Sequence, residues 1–293
     1  MYSAIRANKR NTVIIMAVFL LLIGGIGALV GYLGKDQNIA IWIIGIALVY
    51  AVVEYFVASR LAVAASGAKE IKKSDNPDLW NVVDNLAIAS GQPMPRVFII
   101  QDASPNAFAT GRTPEHSYVV VTSGLLKELD KRELTGVMAH EMSHIANYDI
   151  RVSMIVFGLV SAIGLISDIL LRTAFGVGRS DDDDSGSPYV YIVMIVVAIL
   201  SPIIAAMIQL AVSRQREYLA DSSAALLTRD PEGLIMALQK LDQSAKPLQR
   251  QNTATAHMYI VNPLKKGLLN RLFSTHPSID DRIARLKKIG GQM

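Results

Sequence analysis

Two histidines that flank a glutamate stand near the middle of the chain, in the order His140-Glu141-Met142-Ser143-His144. Four residues advance about 400° on an α-helix, so the two imidazoles share one face about 6 Å apart along the axis. At that spacing both Nε2 atoms can reach one zinc ion, and Glu141 can accept a proton from the attacking water. The motif predicts a catalytic metal site; histidines in solvated or core positions are the plainer alternative.

The residues before the motif predict that it lies on a helix. Asp130 and Glu133 form an acidic variant of the capping box that starts helices. Apolar residues then recur at helical spacing, at Leu134, Val137, Met138 and Ile145. We therefore expect one helix to present His140 and His144 on the same face.

The composition indicates a membrane protein, with 51% hydrophobic residues among 293 and a mean hydropathy of +0.33. A helix needs about 20 apolar residues to cross a bilayer. Four stretches meet this need, and we predict transmembrane helices at about 11–34, 37–57, 152–171 and 188–213. The third prediction requires Asp168 to lie near the membrane interface.

These spans divide the chain into four segments. Residues 1–60 contain the N-terminal tail and the first two spans, and residues 61–150 form a first cytoplasmic piece with the His-Glu motif. Residues 151–213 contain two further spans joined by an acidic external loop, and residues 214–293 form a second piece. We predict a mainly α membrane protein whose two cytoplasmic pieces make one α+β domain with a small β-sheet.

Charge predicts the orientation of the chain and the class of its partners. The N-terminus is basic, at Arg6, Lys9 and Arg10, whereas Asp181 to Asp184 lie between the last two spans. Basic residues favour the cytoplasmic side, so both termini and both polar pieces are expected in the cytoplasm. Anionic lipid explains the net charge of +4 better than nucleic acid does, because the basic residues flank spans. The absence of cysteine fits a reducing compartment and excludes thiolate ligands.

A catalytic zinc takes three protein ligands, so a third donor is needed. The fourth span runs without a helix breaker into a segment that carries Glu217 and Asp221, four residues apart on one face. Such a pair usually means a salt-bridged surface helix. Its place beside a span also allows Glu217 to bind the metal and Asp221 to hold the second ring nitrogen of a ligand histidine.

A small sheet is predicted next to the metal helix. Residues 79–89 follow a helical pattern, and 96–100 and 117–121 read as strands. Asn106, Ala107 and Phe108 lie between these strands and are candidates for substrate binding, because an exposed strand edge can add an extended peptide. An ordinary hairpin is the commoner meaning of this pattern.

Four motifs occur along the chain in this order: Asn106 to Gly111, the His140–His144 helix, Glu217 with Asp221, and Thr275-His276-Pro277. In these motifs the chain resembles the integral-membrane gluzincins related to the CAAX prenyl endoprotease. The resemblance covers nearly the whole chain, as far as residues 281–284. Ser278 departs from the second proline that the family often has after His-Pro.

The resemblance implies a zinc endopeptidase of the cytoplasmic membrane, with one zinc per chain, that acts in quality control. It implies His140, His144 and Glu217 as zinc ligands, Glu141 as the base and Asp221 as the residue that supports a ligand. The expected substrates are misfolded membrane proteins and unfolded polypeptides, without nucleic acid.

An amide-hydrolysis oxyanion needs a hydrogen-bond donor besides the metal, and His276 is the candidate because His116 and His257 lie in loop-like polar stretches. Fixing of a local turn is the alternative role for His276. A non-catalytic membrane adaptor that stores or senses zinc is the competing function. Charged residues around the motif argue against an intramembrane protease, and few ionisable groups in the spans argue against a transporter.

Overall fold

The computed structural model of the chain describes residues 2–33, 37–159, 161, 214–244, 248, 258–260 and 277–291. The helices within them are α1 (Tyr2–Leu33), α2 (Gln37–Ala65), α3 (Pro77–Ser90), α4 (Ser123–Glu128), α5 (Lys131–Ala146), α6 (149–159), α7 (Arg214–Thr228), α8 (Pro231–Gln243) and α9 (Ile279–Gly290). The strands are β1 (Lys69–Glu70), β2 (Arg96–Ile100), β3 (Ala107–Thr113) and β4 (His116–Thr122). The described part is mostly helical, with one small mixed sheet.

Helices α1 and α2 pack against each other, and both are long and apolar enough to cross a membrane, over Ala4–Gly25 and Ile41–Ala65. Their outer faces expose large apolar side chains, such as Leu21 at 76% and Trp42 at 72%. Lipid is the environment in which such faces are stable. α2 continues past the predicted end at residue 57 because no helix breaker follows until Gly67.

The first two predicted spans therefore fall on α1 and α2. Of the predicted span at 152–171, residues 152–159 lie in helix α6 and most of the remainder is outside the described residues. The predicted span at 188–213 and Asp181 to Asp184 lie wholly outside them. The division of the chain into four segments, with four spans, stays a prediction.

The sheet has the strand order β1-β2-β4-β3, with β2 and β4 parallel and the other neighbours antiparallel. The strand predicted at 96–100 is confirmed, and the one predicted at 117–121 extends by one residue at each end. β1 and β3 were not predicted. β3 shows no polar alternation because both of its faces are covered: Ala107 and Ala109 face the main core, whereas Phe108 faces the cluster around α1 and α2.

Helix α5 carries the His-Glu motif and lies at the centre of the polar domain, in contact with α3, α7, α8 and β3. The predicted capping box is confirmed, since Asp130 accepts from the Glu133 N–H and Glu133 accepts from the Asp130 N–H. The helix predicted at 79–89 is confirmed as α3. Because α5 is buried on most sides, the face that carries His140 and His144 is held in place by the core.

The crossing of α5 and α8 depends on Gly136. A Cβ atom at this position would lie 2.7 Å from the backbone nitrogen of Leu234 and 2.9 Å from its Cα. These are backbone atoms of a packed helix, which cannot rotate away as a side chain can. A glycine at 136 is therefore what allows the two helices to approach this closely.

We predict that Gly136→Ala destabilises the protein by about 1–3 kcal/mol, because the added methyl group must push α8 away from α5. The midpoint of thermal unfolding in detergent measures this. Gly45→Ala is the matched control, since its Cβ would meet nothing within 4 Å and alanine favours helix. A Gly136→Ala protein as stable as the parent would show that the crossing tolerates a side chain.

Candidate metal centre

Helix α5 presents His140 and His144 on one face, one helical turn apart. The two rings are inclined at 88° and their Nε2 atoms lie 3.1 Å from each other. The side chain of His140 is 1% exposed, whereas that of His144 is 16% exposed. The two Nε2 atoms thus converge on one point, which solvent reaches from the side of His144.

Helix α7 brings Glu217 to the same point. Its carboxylate oxygens lie 3.7 Å from Nε2 of His140 and 3.5 Å from Nε2 of His144. One donor atom from each of the three residues falls within 4.8 Å of the other two. α5 and α7 pack closely along this face. Three potential metal donors from two helices therefore meet in one place.

Asp221, one turn after Glu217, holds the far side of the His140 ring. Its Oδ1 atom lies 2.9 Å from Nδ1 of His140, and its two oxygens accept hydrogen bonds from Arg282 at 2.9 and 2.7 Å. Burial raises the pKa of Asp221, but the Arg282 charge and the His140 hydrogen bond outweigh it and lower the pKa to about 2. Asp221 is therefore ionised and accepts a hydrogen bond from the protonated Nδ1 of His140. The Nε2 atom of His140 is then available to bind a metal.

Asp149 holds the His144 ring in the same way, with Oδ2 at 2.9 Å from Nδ1. Burial lowers the pKa of His144, but the hydrogen bond with Asp149 and the charge of Glu217 outweigh it and raise the pKa to about 9. At neutral pH the metal-free ring therefore holds a second proton. A metal ion bound at Nε2 must displace that proton, so metal affinity increases as the pH rises toward 9.

Glu141 lies beside the three donors and is 2% exposed. Burial raises the pKa of its carboxyl; the charges of His140 and His144 oppose this rise, and that of Glu217 adds to it. A carboxylate with a raised pKa is a stronger base toward water. Glu141 is thus placed and tuned to accept a proton next to the metal-binding point.

Asn106, Ala107 and Phe108 are buried, at 1%, 1% and 0% exposure. The Phe108 ring packs edge to face on Tyr259, with centroids 4.8 Å apart, and the Ala107 carbonyl accepts from the Ile260 N–H at 3.0 Å. These side chains fill the core. Any contact of this segment with a peptide would therefore use the main chain.

His276, the residue predicted to stabilise the oxyanion, lies outside the described residues, as does His257. Ser278, which departs from the family pattern, is the N-cap of α9 and accepts from the Asp281 N–H at 3.1 Å. Serine is a favoured N-cap residue. The departure therefore helps to start the helix that carries Arg282.

Sequence reasoning assigned no role to Arg282 or Asp149. Arg282 lies within the stretch 281–284 that marked the end of the resemblance, but its partner Asp221 is 61 residues away. Asp149 follows His144 by five residues, and on a continuous helix that spacing would place the two side chains on different faces. Asp149 reaches the His144 ring because α5 ends at Ala146 and the chain turns before Asp149. For Arg282, its position within a shared motif could have drawn attention to it. No sequence pattern pointed to Asp149.

The donor set fits zinc. Two imidazole nitrogens and one carboxylate oxygen are known ligands of catalytic zinc, whereas calcium and magnesium prefer oxygen alone. Each ring also has its other nitrogen fixed by a carboxylate, which orients ligand histidines and raises their basicity. The chain contains no cysteine that could compete for the ion.

Residues 73–290 match the family model described as Peptidase family M48. This match covers most of the chain, and it establishes that the chain belongs to peptidase family M48 and is a metallopeptidase. With α1 and α2 able to cross a bilayer by length and composition, the protein is a membrane metallopeptidase.

Similar proteins carry one common name. The chain is 52% identical over 293 residues to the Protease HtpX homolog of Tropheryma whipplei (strain Twist), covering 100% of this chain and 99% of that protein. It is 45% identical over 293 residues to the Protease HtpX homolog of Ligilactobacillus salivarius (strain UCC118), covering 98% and 99%. The resemblance found in the motifs is confirmed.

The fold is shared with S. mikatae Ste24p, known from a crystal structure. The TM-score is 0.53 at 21% sequence identity, over 93% of this chain and 62% of that one. The chain thus corresponds to somewhat less than two thirds of the length of Ste24p.

We predict that Arg282→Met destabilises the protein by about 3–5 kcal/mol, because it leaves the buried Asp221 carboxylate without its cation. Arg285→Met is the matched control, since Arg285 is an exposed residue of the same helix. Thermal unfolding measures both variants. Arg282→Met with Asp221→Asn should recover part of the loss, and equal stability of Arg282→Met and Arg285→Met would contradict the assignment.

Proposed function

We propose that the protein is a zinc endopeptidase of the cytoplasmic membrane that hydrolyses peptide bonds of misfolded or damaged membrane proteins. The observation that carries this proposal is the convergence of His140, His144 and Glu217 within 4.8 Å, next to the buried Glu141. A non-catalytic zinc store would not need a base at this point. Family membership supports hydrolysis of peptide bonds.

In the proposed mechanism His140, His144 and Glu217 hold one zinc ion per chain. Zinc at such a site supplies a lowered pKa for the attacking water and polarisation of the scissile carbonyl. Glu141 accepts the proton of that water and then delivers a proton to the leaving amine. Asp221 and Asp149 contact Nδ1 of the two imidazoles and so would leave both Nε2 atoms available to bind the ion. His276 is proposed to donate a hydrogen bond to the oxyanion.

Peptide substrates are proposed to bind along the outer edge of β3. The Thr122 N–H donates to the Asn106 carbonyl at 2.9 Å, so the backbone of Asn106 points toward β4. Ala107 points the other way, where its carbonyl meets Ile260. By the two-residue period of a strand, Ala109 continues this outer edge. An extended peptide could pair there by strand addition, beside α5, which packs on β3.

The protein is proposed to span the cytoplasmic membrane several times, with both termini and the metal centre in the cytoplasm. The basic residues at the N-terminus and the aspartates 181–184 support this orientation. Proposed partners are the lipid bilayer and unfolded or membrane-protein substrates.

We predict that Glu141→Gln lowers the cleavage rate of a fluorescently labelled unfolded protein by at least about 100-fold while zinc stays bound. The substitution removes the base and leaves all three donors in place. Glu217→Ala is the contrasting variant and should lose both zinc and activity. Metal analysis and proteolysis are measured on the same detergent-purified samples, and turnover near the parent's rate in Glu141→Gln would refute the proposed mechanism.

We predict that Ser185→Cys reacts with a membrane-impermeant thiol reagent in intact cells, whereas Ser74→Cys reacts only after permeabilisation. The chain has no cysteine of its own, and Ser74 is exposed, so labelling reports the side of the membrane alone. Labelling of Ser74→Cys in intact cells would reverse the proposed orientation.

A further inference from the structure

Asn8 is a polar residue within the candidate span Ala4–Gly25 of α1, and it is 2% exposed. Its amide is fully used. Nδ2 donates to the Asn147 carbonyl at 2.8 Å and to Oδ1 of Asp149 at 2.7 Å, and Oδ1 accepts from Arg216 at 3.3 Å. A buried polar side chain is stable only when its hydrogen bonds are made, as they are here. Asn8 therefore connects α1 to the segments on both sides of the metal centre.

The segment that Asn8 holds is a turn with an unusual backbone. Tyr148, between Asn147 and Asp149, has φ of 62°, in the left-handed region that non-glycine residues rarely adopt. The Lys9 ammonium, next to Asn8, lies 4.7 Å from the centre of the Tyr148 ring. Two consecutive residues of α1 thus contact three consecutive residues of the turn. This turn directs the Asp149 carboxylate back toward α5.

The two oxygens of Asp149 have different partners. Oδ2 lies 2.9 Å from Nδ1 of His144, and Oδ1 accepts from Asn8 at 2.7 Å. Nε of Arg216 also lies 3.9 Å from Oδ1, so a long ion pair accompanies the shorter amide hydrogen bond. The Asn8 amide therefore contacts both the Arg216 guanidinium and the Asp149 carboxylate. Asn8 supplies the shorter contact to Oδ1 and so fixes the rotation of the carboxylate, which leaves Oδ2 directed at His144.

We infer that Asn8 is a positioning residue for the metal centre, through which the first membrane helix holds Asp149 against His144. The inference rests on the proposed function, because it requires that His144 binds zinc. Asn8 does not touch the ion. Its removal lets Asp149 rotate or move closer to Arg216, and either change weakens the support of the His144 ring.

The test is a double-mutant cycle on the full-length, detergent-purified protein, with zinc affinity measured by chelator competition. Asn8→Ala should weaken zinc affinity by about 3- to 10-fold, the size of one lost hydrogen bond. Asp149→Ala should weaken it by about 10- to 100-fold. Adding Asn8→Ala to Asp149→Ala should cause no further loss, since both act on one contact. Asn11→Ala, in the same helix, is the matched control and should keep the parent's affinity.

Thermal unfolding of the zinc-free variants separates positioning from a general structural role. Zinc affinity unchanged in Asn8→Ala, with lower zinc-free stability, would reduce Asn8 to a structural contact and overturn the inference. If Asn8→Ala lowers zinc affinity as much in the Asp149→Ala background as in the parent, the inference is overturned too. If Asp149→Ala fails to fold, Asp149→Asn takes its place in the cycle. A parent protein that binds no zinc would instead reject the proposed function, and the inference with it.

Discussion

Burial of ionised side chains is the constraint on which the arrangement of α5, α7 and α9 depends. Asp221 and Arg282 are 2% and 1% exposed, and His140, which contacts both of them, is 1% exposed. An unpaired charge at such depth costs several kcal/mol, so each of these groups requires the others in place. The three helices therefore come together as a unit. The convergence of His140, His144 and Glu217 is a consequence of this packing as much as of the helix on which the histidines lie.

This dependence explains why the metal centre draws on segments far apart in the sequence. α5 and α7 provide the donors, but α9 near the C-terminus and α1 at the N-terminus provide the residues that fix them. Gly136 lets α8 approach α5 and completes the packing on the opposite side. The outer residues contribute no metal ligand. They reduce the freedom of the donors, which is what a site needs to keep its geometry.

The donors themselves could be predicted from the sequence because local rules place them. A capping box starts α5, helical spacing puts His140 and His144 on one face, and the same spacing relates Glu217 to Asp221. Arg282 and Asn8 could not be predicted, because their contacts depend on which helices meet. β3 escaped prediction for a related reason: it is buried on both faces, so it lacks the alternation by which a strand is recognised. Local periodicity predicts elements, whereas tertiary packing decides which of their polar residues become partners.

The two histidines receive unequal support, and the difference has a physical meaning. His140 is fixed from inside the domain by Asp221, whose two oxygens are both held by one arginine fork. His144 is fixed by Asp149, whose other oxygen is held by an amide from a helix able to enter the membrane. A two-bond guanidinium clamp allows little rotation, whereas a single amide donor allows more. His144 is thus both the histidine that solvent reaches and the one whose orientation depends on the position of α1. A helix that anchors the protein in a bilayer would therefore also take part in building its site.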